Sequence, residues 1–96
     1  GDPSQVEEAL LELEGVEPHF MIVVDREREL DRLEVMVEVS SEVMSDDTRD
    51  LISFARRIEG HLRNRLNVRA EVSLKEPMTL ERTPGKARRI IDRREM

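Results

Sequence analysis

Apolar residues near the start of the chain recur at helical spacing. They fall at i, i+3, i+4 and i+7, the repeat of an amphipathic helix: Val6, Ala9, Leu10 and Leu13. Ser4 lies three residues before Glu7, as in a capping box. Gly15 suits the end of a helix because glycine adopts a left-handed backbone without steric cost. The pattern predicts a first helix from Pro3 to about Glu14.

Two later stretches have the composition and alternation of β-strands. The run from His19 to Val24 is rich in β-forming apolar residues, and residues 33–40 alternate between apolar and mostly polar side chains. The second stretch therefore predicts a strand with one buried face and one solvent-exposed (wet) face. The exposed face would carry Glu34, Met36 and Glu38. The charged connection 25–32 is too short for a crossover helix, so the two strands should pair antiparallel.

A second helical stripe follows the hairpin. Its apolar members are Leu51, Ala55, Ile58, Leu62 and Leu66. Ser45-Asp46-Asp47 should open this helix, and Asn67 should end it in a left-handed conformation. Gly60 lies inside it at a cost of roughly 1 kcal/mol relative to alanine.

Alternation over 70–74 predicts a third strand, which ends at Pro77. The predicted order is α-β-β-α-β with a C-terminal loop or tail. We expect one α+β domain over residues 1–96, in which two helices pack on a three-stranded sheet.

Composition narrows the function classes. The chain has 96 residues, two aromatic residues, no cysteine and a net charge of −6. Few aromatics and an acidic balance disfavour a nucleic-acid partner. Without cysteine, disulfides and thiolate metal sites are excluded. No apolar run approaches the roughly 20 residues needed to cross a bilayer, so we expect no membrane partner and a cytoplasmic location.

The charge is concentrated at the C-terminal end. Residues 82–94 carry a net charge of +5, and the remainder carries −11. This segment contains Thr83-Pro84-Gly85-Lys86, in which a lysine follows a glycine. Such a lysine can place one compact positive charge on an anion contributed by another surface. The alternative interpretation is an exposed turn in a solvated tail.

Other candidate sites have simpler explanations. His19 and His61 have no ligand-like spacing to an acidic residue, so we predict no metal site there. The acidic cluster Asp46, Asp47 and Asp50 is explained by helix capping. The sequence places no nucleophile beside a base.

Three ordered segments resemble the phenylacetate–CoA ligase family: residues 3–10, the stretches 18–24 and 33–38, and residues 82–94. The resemblance covers nearly the whole chain but only the small C-terminal domain of such an enzyme. That family forms acyl-adenylates from a carboxylic acid and ATP, and then passes the acyl group to coenzyme A. The resemblance implies a lid that moves between the two half-reactions, with Lys86 as its catalytic residue during adenylation.

The same resemblance implies further roles. Arg82, Thr83, Gly85 and Arg88 would shape the loop or meet substrate phosphates, and a structural role for Arg82, Arg88 and Arg89 is equally open. Pro84 departs from the polar residue usual in the family. The implied partners are an N-terminal adenylation domain on the same polypeptide, an aryl carboxylic acid, ATP, Mg²⁺ and coenzyme A, none of them bound by this domain alone. The isolated domain would be inactive.

Two other functions stay open at this point. One is a non-enzymatic regulatory or dimerisation module that binds a small ligand, an analogy that rests on fold alone. The other is a nucleic-acid partner for the arginines of residues 82–94, which the acidic body disfavours.

Overall fold

The computed structural model describes residues 3–80 and 90–94. The chain forms an α+β domain, as predicted. Its elements are α1 (Pro3–Leu11), β1 (Val16–Glu27), β2 (Leu30–Val39), α2 (Ser41–Met44), α3 (Thr48–Leu66), β3 (Glu71–Lys75) and β4 (Ile90–Asp92).

The predicted hairpin is present and is longer than its apolar runs. β1 and β2 pair antiparallel, and the pairing continues as far as Glu27 and Leu30. Arg28 and Glu29 form the turn, with φ of 53° and 69°. Two successive positive φ values match the twist of the flanking strands. The charged connection 25–32 is therefore mostly strand, which its composition concealed because asparagine and glycine are the usual residues of such a turn.

Within residues 3–80 and 90–94 the sheet has four strands in the order β3-β2-β1-β4, one more than the sequence predicted. β3 lies parallel to β2, and β4 lies parallel to β1 with Ile90 opposite Ile22. The backbone N–H of Arg93 extends the pairing by donating to the Val24 carbonyl at 2.6 Å. A three-residue strand followed by arginines shows no alternation long enough to predict. It forms because the outer edge of β1 offers free backbone groups.

The hydrophobic core lies between one face of the sheet and the helices α1 and α3. Val35, Val37 and Val39 of β2 belong to this core. Because side chains alternate across a strand, Met36 and Glu38 point to the opposite face of the sheet. We call this opposite face, which carries Val23, Glu34, Met36 and Glu38, the helix-free face. The prediction that this side is wet is wrong at Glu38, which is buried.

The helix ends follow local chemistry. α1 ends at Leu11, three residues before the predicted Glu14, because its last turn tightens: the Leu13 N–H donates to the Leu10 carbonyl at 3.1 Å. Gly15 has a φ of +94°, where a side chain would be strained. α3 begins after Asp47, whose carboxylate accepts from the Asp50 N–H at 2.9 Å.

The predicted left-handed end of α3 is confirmed at Asn67, with φ of 56°. The four-residue helix α2 was not predicted; the Ser40 hydroxyl caps it by accepting from the Val43 N–H at 3.2 Å.

Candidate functional site

All of the predicted site residues lie outside the described residues: Arg82, Thr83, Gly85, Lys86 and Arg88, together with Arg89. We call residues 81–89 the lysine segment. The structure describes the residues on both sides of it, 76–80 and 90–94. The candidate site is therefore built from the two places where the chain is held to the sheet before and after this segment.

The residues before the lysine segment are held by Glu38. Its Oε1 accepts a hydrogen bond from the Met78 N–H at 3.0 Å, and its Oε2 accepts one from the Leu80 N–H at 2.8 Å. Hydrogen bonds to a carboxylate are roughly twice as strong as those between neutral groups. Leu80 is the last residue before the lysine segment, so Glu38 ties the backbone to β2 at that point.

Residues 76–79 form a tight turn above this carboxylate. The Glu76 carbonyl accepts from the Thr79 hydroxyl at 2.6 Å and from the Thr79 N–H at 3.3 Å. Met78 has a φ of 67°, a left-handed conformation that costs a residue other than glycine roughly 1–2 kcal/mol. The bond from its N–H to Glu38 offsets part of that cost.

The residues after the lysine segment are held by strand pairing. Ile90 and Ile91 pair with Ile22 and Val23 of β1. Beyond the strand, Arg94 donates hydrogen bonds to the Asp92 carboxylate, from its guanidinium group at 2.7 Å and from its backbone N–H at 3.0 Å. These hydrogen bonds from Arg94 lower the pKa of Asp92 to about 2. Both attachments are thus made by short hydrogen bonds, one set to a side chain of β2 and one to the edge of β1.

Grooves lie near these attachments in the part of the chain that the structure describes. A polar one of about 80 Å³ runs along the helix-free face between Val23, Glu34 and Arg93, and an ion pair of 2.8 Å between Arg32 and Glu71 lines it. Its charges are of both signs, so it does not select an anion.

The second groove is apolar and measures about 310 Å³. It opens between the helices and the sheet, where Val24, Leu66 and Ile90 line it together with Arg94.

The remaining candidates have structural roles. His61 Nε2 lies 2.8 Å from Glu12 Oε1, and Arg65 bonds the same carboxylate at 2.7 Å, which ties α3 to the end of α1. The hydrogen bond from Arg65 is the main reason that the pKa of Glu12 falls to about 2. His19 is exposed on β1. Within residues 3–80 and 90–94, no three histidine, aspartate or glutamate side chains are grouped to hold a metal ion.

Sequence reasoning missed Glu38 because alternation assigned it to a wet face. A strand glutamate between two valines looks like any solvated acid. Two residues that bond its carboxylate, Met78 and Leu80, are 40 and 42 positions later in the chain and leave no local pattern around Glu38. No helix in the described part of the chain combines the length and the apolar character needed to span a bilayer.

Comparison with known proteins gives the relationships of this chain. The family described as AMP-binding enzyme C-terminal domain matches residues 3–94. The chain is 37% identical over 105 aligned residues to a phenylacetate-coenzyme A ligase of Thermus thermophilus, an alignment that covers 96% of this chain and 24% of that protein. The chain spans only about a fifth to a quarter of the length of the curated relatives it matches.

Solved structures agree with this relationship. A 2-hydroxyisobutyryl-CoA ligase, in complex with 2-HIB-AMP and CoA in the thioesterification state, superposes with a TM-score of 0.87 at 36% identity, over 98% of this chain and 20% of that one. A domain of phenylacetate-coenzyme A ligase from Bacteroides vulgatus gives 0.79 at 28% identity, over 97% of this chain and 84% of that one. The chain belongs to the family of AMP-binding enzyme C-terminal domains.

Proposed function

We propose that this chain is the mobile C-terminal lid of an ATP-dependent aryl-acid–coenzyme A ligase, and that Lys86 supplies positive charge for acyl-adenylate formation. The observation that carries the proposal is the family match over residues 3–94, which includes Thr83-Pro84-Gly85-Lys86. The structure supports it from both sides of the lysine segment, since Glu38 holds Leu80 and β1 holds Ile90.

The chemistry requires a cation of this kind. In the first half-reaction a carboxylate oxygen attacks the α-phosphorus of ATP, a new P–O bond forms, and pyrophosphate leaves with the electrons of the broken bond. Two anions must approach each other, and charge spreads over the oxygens of the transferring phosphorus. A lysine ammonium that contacts both groups reduces their repulsion and orients the attack. In the second half-reaction the thiol of coenzyme A attacks the acyl carbon, AMP leaves, and the thiol proton is released.

The neighbouring residues would support Lys86. Gly85 gives the backbone the freedom for close approach. Thr83 would shape the loop, and Arg82 and Arg88 would contact phosphate oxygens, because guanidinium groups bind them in pairs of hydrogen bonds.

Other parts of the enzyme must lie outside this chain. Because the chain spans about a fifth to a quarter of its relatives, we assign the ATP site and the acid pocket to an N-terminal adenylation domain on the same polypeptide. The described residues offer no grouped ligands for Mg²⁺, which would screen the phosphates of ATP in that other domain. On this proposal the 96-residue chain alone does not turn over substrate.

The acid substrate is proposed at the level of class. The similar Thermus protein is a phenylacetate-coenzyme A ligase, whereas the similar structure is a 2-hydroxyisobutyryl-CoA ligase. An aryl acid is the choice that the sequence resemblance favours. A test must therefore include both phenylacetate and 2-hydroxyisobutyrate.

The test uses the full-length ligase that contains this chain. Lys86→Ala should abolish most acid-dependent exchange of pyrophosphate into ATP, while thioester formation from supplied acyl-adenylate largely survives. Arg57→Ala is the matched control, because it removes one positive charge from an exposed position on α3. Exchange that is unaffected by Lys86→Ala would refute the role of the lysine. Absence of exchange with every acid in the wild-type enzyme would favour the small-ligand or dimerisation module instead.

A further inference from the structure

We propose that Glu38 is a positioning residue of the adenylation reaction: its buried carboxylate fixes the backbone immediately before the lysine segment, and thereby the placement of Lys86. This inference rests on the proposed function of Lys86. Glu38 would touch neither substrate nor cofactor and would act through residues 78–80.

The carboxylate of Glu38 is buried and its oxygens accept hydrogen bonds from the protein. Among the described residues it is the one buried charged side chain, with 1% of its surface exposed. Burying a carboxylate costs free energy unless hydrogen bonds replace its water. Its two oxygens bind the Met78 and Leu80 N–H groups at 3.0 Å and 2.8 Å. No buried side-chain oxygen or nitrogen in the described part lacks a partner.

The apolar core does not explain a carboxylate at this position. The apolar core lies on the other face of the sheet, around Val35, Val37 and Ile58, and Glu38 is not part of it. A buried charge is weak evidence for a gain in stability, since its burial costs free energy that its hydrogen bonds must first offset. What a carboxylate provides here is geometry, because it accepts two backbone N–H groups in one orientation and holds Met78 in a left-handed conformation.

The orientation of the backbone at Leu80 matters because Lys86 follows only six residues later along the chain. A catalytic group must lie within hydrogen-bond reach of the reacting atoms, and a displacement of about 1 Å can cost on the order of a hundredfold in rate. β4 fixes the chain after the lysine segment through its pairing with β1. Glu38 is the corresponding attachment before it, so loss of Glu38 would remove two hydrogen bonds that hold the chain at the start of the segment.

The experiment compares Glu38→Gln with Glu59→Gln in the full-length ligase. Glutamine keeps the shape of Glu38 but replaces one acceptor oxygen by a second donor. Glu59 is a matched control because its carboxylate also accepts a backbone N–H, that of Val72 at 2.9 Å, between α3 and β3. Glu38→Asp is made in parallel, since it keeps the charge if the glutamine variant does not fold.

Two rates are measured for each folded variant. We expect Glu38→Gln to lower the kcat of acid-dependent pyrophosphate exchange roughly 10- to 100-fold, the effect of losing one hydrogen bond to a charged group. Thioester formation from supplied acyl-adenylate should change by less than about threefold. Glu59→Gln should leave the ratio of the two rates unchanged. Equal losses of both rates in folded Glu38 variants, or no loss, would overturn the proposal.

A double variant separates positioning from folding. If Glu38 acts through Lys86, Glu38→Gln should lower exchange little further when Lys86 is already alanine, because the residue being positioned is gone. Full additivity of the two losses would contradict the proposal. If Lys86→Ala alone has no effect on pyrophosphate exchange, the proposed role of Lys86 is refuted, and the role of Glu38 in positioning it is refuted with it.

Hydrogen exchange on the 96-residue chain tests the structural half independently of catalysis. Glu38→Gln should speed exchange of the Met78 and Leu80 amides about tenfold or more, while amides of β1 and β2 keep their protection. Unchanged exchange at both amides would overturn the anchoring role whatever the kinetics show.

Discussion

Gly60 offers a sharp test of the folded structure. It lies in the interior of α3, the 19-residue helix from Thr48 to Leu66. A Cβ atom built at this position has no heavy atom within 4 Å beyond its own surroundings in the helix. Gly60→Ala therefore adds a methyl group to open space, with no clash to offset the gain.

The expected gain comes from the unfolded state and from helix propensity. Glycine loses more backbone freedom than alanine when it enters a helix, by about 0.5–1 kcal/mol. For a domain of 60–100 residues, 1 kcal/mol moves the midpoint of thermal unfolding by about 4–8 °C. Gly60→Ala should therefore raise the midpoint by about 2–8 °C.

Gly15→Ala is the matched control, since the substitution is the same and the expected sign is opposite. Gly15 has a φ of +94°, and a Cβ there would lie 3.0 Å from Val43 Cγ2. A left-handed backbone alone costs alanine about 1–2 kcal/mol, so this variant should unfold at a lower temperature.

Both variants are measured on the 96-residue chain by thermal unfolding followed by circular dichroism, and by urea unfolding. The slope of the urea transition should stay constant, which would show that folded-state stability has changed and not the extent of unfolding. A Gly60→Ala protein no more stable than the wild type would refute the placement of Gly60 in an open helical position. Equal effects of both substitutions would refute the backbone conformation at Gly15.

Two further predictions test the core and the ion pairs. Ile58→Val removes one methylene from a side chain with no exposed surface and should cost about 0.5–1.5 kcal/mol in urea unfolding; no loss would mean that Ile58 is not packed as described. Glu12→Gln should lower stability at pH 7, and the loss should shrink as the pH falls from 4.5 through 2, because the folded-state pKa of Glu12 is depressed from 4.5 to about 2. The stability it contributes is present above pH 4.5 and is lost as the pH falls towards 2. High salt should shrink the difference, since both partners are partly exposed. A difference as large at pH 2 as at pH 7 would contradict the depressed pKa of Glu12.

The sequence predicted the elements whose signals are local. The stripe of α3, the cap at Asp47 and the left-handed Asn67 are all set by residues within a few positions of one another, and each is confirmed. The hairpin was predicted for the same reason. The core residues of β2 followed directly from its alternation, with Val35, Val37 and Val39 all buried.

The features that sequence reasoning missed depend on distant parts of the chain. β4 has only three residues and becomes a strand because β1 has an edge to pair with, 68 positions earlier. Glu38 is bonded by Met78 and Leu80, which are 40 and 42 positions later, so alternation could not distinguish it from Glu34. In both cases the deciding partner lies far along the sequence, where periodicity gives no information.

One face of the sheet contributes mainly to stability, and the other holds the chain next to the lysine segment. The face that packs on α1 and α3 holds the apolar core, while the helix-free face holds Glu38 and the residues before that segment. Substitutions that are distant and share no partners act additively. A stabilising change in α3 such as Gly60→Ala should therefore leave pyrophosphate exchange unchanged, whereas Glu38→Gln should impair it even in that stabilised background. If Gly60→Ala restored exchange to a Glu38→Gln enzyme, the loss would have come from unfolding and not from a displaced Lys86.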